Sequence, residues 1–221
     1  ISFDQYPYGA GSTMLGGCIP PWAHAGGSDK LLERMKDPET REKIASDMRN
    51  NDTFWENLSY FCTPDGIVIT DVVSEANKKY VGLSLEEIGK IRGVTPQDAC
   101  IDLLIDENNI VGMIDHYGTE PIIKRVMCRP EMNVCTDGLL GGKPHPRVYG
   151  TYPRILGKYV REEKLFPLET AIYKMTGKPA ATMNMWDRGL LKPGCKADVV
   201  IFDPDTIIDY ATYADPRQYS V

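Results

Sequence analysis

The spacing of apolar and polar positions predicts strands at two places in the first third of the chain. Residues 1–8, ISFDQYPY, alternate apolar and polar side chains before a proline and two glycines end the pattern. Residues 65–73, DGIVITDVV, form a compact β-branched run that is typical of a strand. The glycine- and proline-rich residues 9–27 between them predict a loop.

Helical spacing dominates the segment from about residue 14 to 109, which we interpret as a mainly helical insertion with too few strands to make a sheet of its own. Helices are predicted over 29–36, 38–50, 83–93 and 95–109. Each begins at a residue type that caps helices, namely Ser28 or Asp29, Asp37, Ser84 with Glu87 as a capping box, and Thr95. Gly93 is expected to end the third of these helices.

From residue 109 onward, strands and helices alternate. The pattern predicts strands over 109–116 and 131–137 and helices over 119–129, 152–163 and 167–176. Near-continuous apolar strands followed by amphipathic helices indicate parallel βα units, whose functional groups lie after the strand ends. Only about three such units are present, whereas a closed (β/α)8 barrel needs eight strands and roughly 250 residues, so this chain cannot close one alone.

Composition and charge argue against nucleic-acid-binding and membrane-spanning proteins. The 221 residues carry a net charge of −6, without a run of Lys or Arg that would bind nucleic acid. No apolar stretch approaches the roughly 20 residues that cross a membrane, and the N-terminus does not look like a leader peptide, so we expect a cytoplasmic protein. The six cysteines show no CxxC spacing, which favours reduced thiols, and the three histidines form no HxH or HExxH pair.

The most specific stretch is the tail, residues 175–207, where a helix, the turn DRGLLKPG and a strand predicted over ADVVIFD, residues 197–203, follow one another. It resembles the C-terminal signature of the amidohydrolase superfamily. Within that superfamily the chain is most similar to the N-acyl-D-amino-acid deacylases, through DQYPYGAGSTML, PPWAHAGG, NKKYVGLSLEEIGKIRGVTPQDACIDLL and CTDGLLGGKPHPRVYGTYPRILGKYVRE.

The resemblance implies an α/β fold: the C-terminal portion of a metal-dependent-hydrolase (β/α)8 barrel. Residues 1–185 would form the partial barrel, with the insertion at about 14–109, and residues 186–221 would return to a small β-sandwich. It also implies that an N-terminal half carrying the main metal ligands is missing. We therefore expect an isolated chain to be inactive.

The resemblance also implies the site. Asp137 would be the general acid/base and a zinc ligand shared with the missing half, and the cofactor would be zinc. Tyr6 and Arg147 would hold the carboxylate of an N-acyl-D-amino acid, and His116 would line the substrate pocket. Arginine suits this role because its planar fork meets a carboxylate with two hydrogen bonds.

Simpler interpretations stay open at each position. Asp137 precedes a glycine and is also a plausible turn former. Tyr6 is also a plausible core residue, with Tyr8 as the fallback choice, and His145 is expected to stiffen its loop or to form a hydrogen bond with the backbone of that loop.

Two other functions stay open as well. One is a non-catalytic association module, and the other is a cyclic amide hydrolase of the dihydroorotase type. Homo-oligomerisation is also left open.

Overall fold

The strands of the computed structural model, which describes residues 1–50 and 55–221, form two separate sheets. The strands are β1 (Phe3–Gln5), β2 (Ala10–Met14), β3 (Ile67–Val72), β4 (Val111–His116) and β5 (Met132–Val134). β1 and β5 pair in parallel, and the second sheet has the order β2-β4-β3 with antiparallel pairing throughout. The chain divides into a first unit of residues 1–9, 118–140 and 144–221 and a second unit of residues 10–117 and 141–143.

Nine α-helices are present in these described ranges. They are α1 (Ser28–Lys36), α2 (Pro38–Arg49), α3 (Leu58–Phe61), α4 (Leu85–Arg92), α5 (Pro96–Asp106), α6 (Glu120–Met127), α7 (Arg147–Arg154), α8 (Leu168–Met175) and α9 (Gly177–Thr182). Short 3₁₀ turns connect several of them, and residues Ile155–Glu162 continue α7 in a π-helical conformation. None of the helices in the described part is long and apolar enough to span a membrane.

The second unit packs helices against its three-stranded sheet. Side chains that are almost fully buried come from both layers, among them Leu31, Ile44, Ile67, Ile69, Ile88, Leu103 and Met113. The insertion predicted over 14–109 is helical for the most part, as expected, and it also supplies β3 to a sheet whose other strands flank it.

Two expectations for this sheet were wrong. β4 was expected to be a strand of a parallel βα unit, but it pairs antiparallel with both neighbours. β2 lies in the stretch predicted as a loop because of its glycines. A Cβ on Gly11 would lie 2.8 Å from an Asp115 carboxylate oxygen. Glycine is therefore needed here for close approach to β4, and it does not mark a loop.

The helix boundaries predicted from capping residues are largely confirmed. Asp37 accepts a hydrogen bond from the Thr40 N–H, Ser84 and Glu87 form the predicted capping box, and Gly93 ends α4 in the left-handed region. The cap of α1 was predicted wrongly. Ser28 is already helical, and the capping position is occupied by Gly27.

The first unit builds a smaller core around the parallel pair β1–β5. Strand β5, helices α6 and α8 and the π-helical segment contribute its buried side chains, which include Ile123, Met127, Met132, Val134, Ile155, Tyr159 and Ala171. A parallel strand pair covered by helices is an α/β arrangement. The partial (β/α)8 barrel and its boundary at residue 185 stay predictions.

The tail of the first unit differs from expectation. Residues 197–203 were predicted as a strand, but residues 183–221, all described, contain no strand or α-helix. Val199, Val200 and Ile201 are instead exposed. An apolar run of this kind becomes a strand only when a neighbouring strand accepts its backbone hydrogen bonds.

Candidate functional site

Two predicted site residues follow the two strands of the parallel pair. In the register of β1 with β5, Gln5 lies opposite Val134, and the Cys135 N–H extends the pairing by bonding the Gln5 carbonyl at 3.1 Å. Tyr6 comes directly after Gln5, and Asp137 lies two residues after Cys135, at the same edge of the sheet. Asp137 adopts φ 47°, a left-handed conformation that aspartate tolerates better than most residues. Asp137 lies in an irregular stretch after β5, and its backbone conformation does not exclude a chemical role.

Asp137 forms an ion pair with Arg147. The Arg147 Nη2 atom lies 3.1 Å from the Asp137 Oδ2 atom. The arginine side chain is 1% exposed, while the aspartate side chain is 68% exposed. A cation fixed in the protein thus meets a carboxylate that is open to solvent.

Tyr6 completes this cluster. The Arg147 guanidinium carbon lies 4.5 Å from the centre of the half-buried Tyr6 ring, a distance at which a cation interacts favourably with an aromatic face. The structure therefore brings together Tyr6, Asp137 and Arg147, as the sequence predicted. Their roles in binding and catalysis stay predictions.

Arg147 is the first residue of α7, where a backbone N–H has no partner within the helix. This N–H donates a hydrogen bond of 2.9 Å to Nδ1 of His145. His145 is 1% exposed, and its ring packs edge-on against the rings of Tyr8 and Tyr213 with centroid distances of 5.1 Å. The expectation that His145 bonds its own loop backbone is confirmed, but its contact with the arginine of the site had not been predicted.

Tyr8 occupies a different environment from Tyr6. It is buried, and the Arg154 guanidinium lies over its ring at 4.9 Å. Burial raises the pKa of the Tyr8 hydroxyl, and the negative charge of Asp209 raises it further. Tyr8 is therefore a neutral core residue, which leaves Tyr6 as the better candidate for contact with a ligand.

Cys135 lies on β5's continuation toward Asp137. Burial raises the pKa of its thiol to about 11, with further contributions from the charges of Asp4 and Asp137. A neutral thiol is a poor nucleophile and a poor metal ligand. Cys135 therefore has the environment of an unreactive thiol.

His116 belongs to the second unit, where it ends β4 opposite Ala10. Partial burial lowers the pKa of its imidazole. Its predicted place in a substrate pocket stays a prediction.

The described residues do not form a metal site by themselves. Across residues 1–50 and 55–221, no group of three or more His, Cys, Asp or Glu side chains is arranged to hold a metal ion. Asp137, the expected shared zinc ligand, is paired with Arg147. Zinc usually has at least three protein ligands, so this part of the chain does not fit the cofactor on its own.

Comparison with known proteins identifies the relatives of the chain. The model of the amidohydrolase family (Amidohydro_3) matches residues 134–221. A D-aminoacylase from Alcaligenes xylosoxydans xylosoxydans is 40% identical over 219 residues, which are 99% of this chain and 35% of that protein. The chain is related to the N-acyl-D-amino-acid deacylases. This confirms the resemblance stated from the sequence.

A solved structure agrees with this relationship. The N-acyl-D-glutamate deacylase from Bordetella bronchiseptica, solved with zinc and a phosphonate mimic of the tetrahedral intermediate, is 32% identical and superposes with a TM-score of 0.72. The match covers 100% of this chain and 36% of that one. The chain therefore spans about a third of the length of these relatives.

The cyclic amide hydrolases are matched much less extensively. A dihydroorotase from Lactobacillus helveticus (strain DPC 4571) is 44% identical, but over only 46 residues, which are 21% of this chain and 11% of that enzyme. The D-aminoacylase and the solved N-acyl-D-glutamate deacylase, by contrast, match nearly the whole length of the chain.

Proposed function

We propose that this chain is part of an enzyme that hydrolyses the amide bond of N-acyl-D-amino acids. The observation that carries the proposal is the cluster of Tyr6, Asp137 and Arg147 at the ends of two parallel strands. The whole-length similarity to a D-aminoacylase supports the choice of substrate class.

Asp137 is proposed to move the proton. Hydrolysis of an amide requires that a proton leave the attacking water and reach the departing amine, and one positioned carboxylate can do both in turn. Asp137 suits this role because its side chain is open to solvent on one side and held by Arg147 on the other.

Arg147 and Tyr6 are proposed to hold the substrate carboxylate. The guanidinium carries five N–H donors in a plane, so it can bind carboxylates in a fixed orientation. Its burial and its stacking on Tyr6 fix that plane before substrate arrives. A pre-positioned cation loses less conformational freedom on binding and therefore binds more tightly.

Zinc is proposed as the cofactor of the longer enzyme. Its main ligands would come from the two thirds of the relatives that this chain does not match. We expect the 221-residue chain to show no turnover alone when it is assayed with zinc and N-acetyl-D-amino acids. Turnover by the chain alone would show that no further residues are required.

Binding of the carboxylate tests the site directly. Titration of the chain with N-acetyl-D-leucine should shift the NMR signals of Arg147 and Tyr6, and R147M should abolish the shift at Tyr6. The variant R161M is a matched control, because Arg161 lies in the same unit and bonds the carbonyls of Pro204 and Ile207. An unchanged response in R147M would contradict the carboxylate role.

An association role has one observation in its favour, the exposed apolar run at Val199, Val200 and Ile201. Such a run can add to the edge of a strand in another chain. Light scattering distinguishes the two proposals, because a strictly monomeric chain that binds N-acetyl-D-leucine supports the enzyme and excludes association as the main role.

A further inference from the structure

We infer that His145 is a positioning residue that sets the place of Arg147 in the substrate site. The inference rests on the proposed function, because it concerns the arginine assigned to the substrate carboxylate. It goes further by naming a residue that acts on that arginine through the protein backbone.

The first step is the local chain geometry. His145 stands between Pro144 and Pro146, and proline restricts both its own φ and the conformation of the residue before it. The carbonyl of His145 accepts the N–H of Val148 at 3.2 Å, which starts the turn that leads into α7. The backbone around Arg147 is therefore stiff before any side chain contributes.

The second step is the hydrogen bond at the start of α7. The Arg147 N–H donates to His145 Nδ1 at 2.9 Å, within the usual range for such a bond. Both residues are 1% exposed, so water does not easily replace this bond. Without an acceptor the buried N–H would be unsatisfied, which favours rotation of this first turn and displacement of the guanidinium.

The third step is the packing that fixes the ring. The imidazole meets Tyr8 at an interplanar angle of 89° and Tyr213 at 88°, and it lies 6.1 Å from the Tyr6 ring. Edge-to-face contacts of this kind are favourable arrangements of aromatic rings. His145 is thus in contact with one partner of Arg147, the Tyr6 ring, and bonded to the backbone of Arg147 itself.

The hydrogen bond from the Arg147 N–H requires one tautomer of the neutral His145 ring. A neutral imidazole has one nitrogen that accepts and one that donates. Because Nδ1 accepts the Arg147 N–H, the proton of the neutral ring lies on Nε2. This is a property of the folded chain that can be measured without any substrate.

The test uses the 221-residue chain and two substitutions that separate the hydrogen bond from the packing. H145N keeps an acceptor, because the amide oxygen is as many bonds from Cα as Nδ1 is. H145F keeps an aromatic ring and removes the acceptor. We expect the ring ¹⁵N shifts of the wild type to show the Nε2-protonated tautomer. The Arg147 Nε–H signal should be preserved in H145N and shifted or broadened in H145F.

Ligand binding gives the second measurement. H145F should bind N-acetyl-D-leucine roughly five- to tenfold more weakly than wild type, as loss of about one hydrogen bond predicts, while H145N stays within about twofold. An Nδ1-protonated ring in the wild type overturns the inference even when neither variant folds. An unchanged Arg147 signal and unchanged binding in folded H145F overturn it as well.

Different binding results would contradict the proposed function and the inference about His145. If wild type does not bind N-acetyl-D-leucine, the carboxylate role of Arg147 is wrong, whatever the tautomer. If wild type binds the ligand and H145F binds it equally well, the carboxylate role stands and the positioning role of His145 is wrong.

Discussion

Replacing Glu107 with glutamine should destabilise the second unit by roughly 2–4 kcal/mol, a range built from typical hydrogen-bond energies. Glu107 is 3% exposed and follows α5. One carboxylate oxygen accepts the N–H groups of Val73 and Ser74 at 2.6 and 2.8 Å. The other accepts the Asn77 amide at 2.6 Å and the Ser74 hydroxyl.

The magnitude follows from what glutamine can and cannot replace. Its oxygen can keep the two bonds to the backbone, and the Ser74 hydroxyl can turn to accept from the new NH₂ group. The Asn77 NH₂ group cannot accept a hydrogen bond. It and the new NH₂ group of glutamine would therefore be two donors that face each other in a buried place. An unsatisfied buried donor costs about 1–3 kcal/mol, and the remaining bonds lose roughly half of their strength with the charge.

The pH dependence has a definite sign. Burial raises the pKa of Glu107, but the hydrogen bonds from Ser74, Asn77 and Val73 together lower it below its ordinary value of 4.5. A carboxyl group whose pKa is lower in the folded state stabilises the fold above its unfolded pKa, and that contribution is lost as the pH falls through the folded pKa. The difference between wild type and E107Q should therefore be full at pH 7 and shrink below about pH 4.5.

Urea unfolding followed by circular dichroism measures this difference. E75Q is the matched control, since Glu75 is 85% exposed and pairs with the nearby Lys78 at the surface. We expect it to change stability by less than about 0.5 kcal/mol. A loss in E107Q no larger than in E75Q, or a difference that grows toward low pH, would refute the reasoning.

Two further substitutions test packing and capping. G150A should lower stability by roughly 1–3 kcal/mol, because the added Cβ would lie 2.6 Å from the buried Tyr8 hydroxyl and 3.0 Å from the Asp209 Cβ. A rise in the melting temperature of the first unit would contradict this prediction. S84A should lower stability by about 1 kcal/mol, because it removes the acceptor of the Glu87 N–H. S84T keeps an acceptor and should lose less stability in the same urea titration. Equal losses of stability in S84A and S84T would contradict the capping role of Ser84.

Local signals were the part of the fold that the sequence predicted well. Asp37, Ser84 and Thr95 each accept a hydrogen bond from the backbone N–H three residues ahead, so their effect does not depend on distant parts of the chain. Pairing between strands depends on residues far apart in sequence. For this reason the antiparallel orientation of β4 and the absence of a strand at 197–203 could not be predicted from the sequence.

The residues of the candidate site came from the resemblance, and their roles stay predictions. The likeness to the deacylases named Tyr6, Asp137 and Arg147, and the register of β1 with β5 explains why the first two lie at one sheet edge. The acceptor role of His145 toward Arg147 was not predicted, because a histidine between two prolines gives no signal of where its ring will point.

The central claim is that Asp137 transfers the proton in an N-acyl-D-amino-acid deacylase. The most direct test replaces the matching third of the Alcaligenes D-aminoacylase with this chain and measures hydrolysis of N-acetyl-D-amino acids with zinc. We predict an active chimera whose kcat falls roughly 10²–10⁴-fold in D137N, with the fold and the zinc content unchanged. A folded, zinc-loaded D137N chimera with the kcat of its parent would contradict the claim.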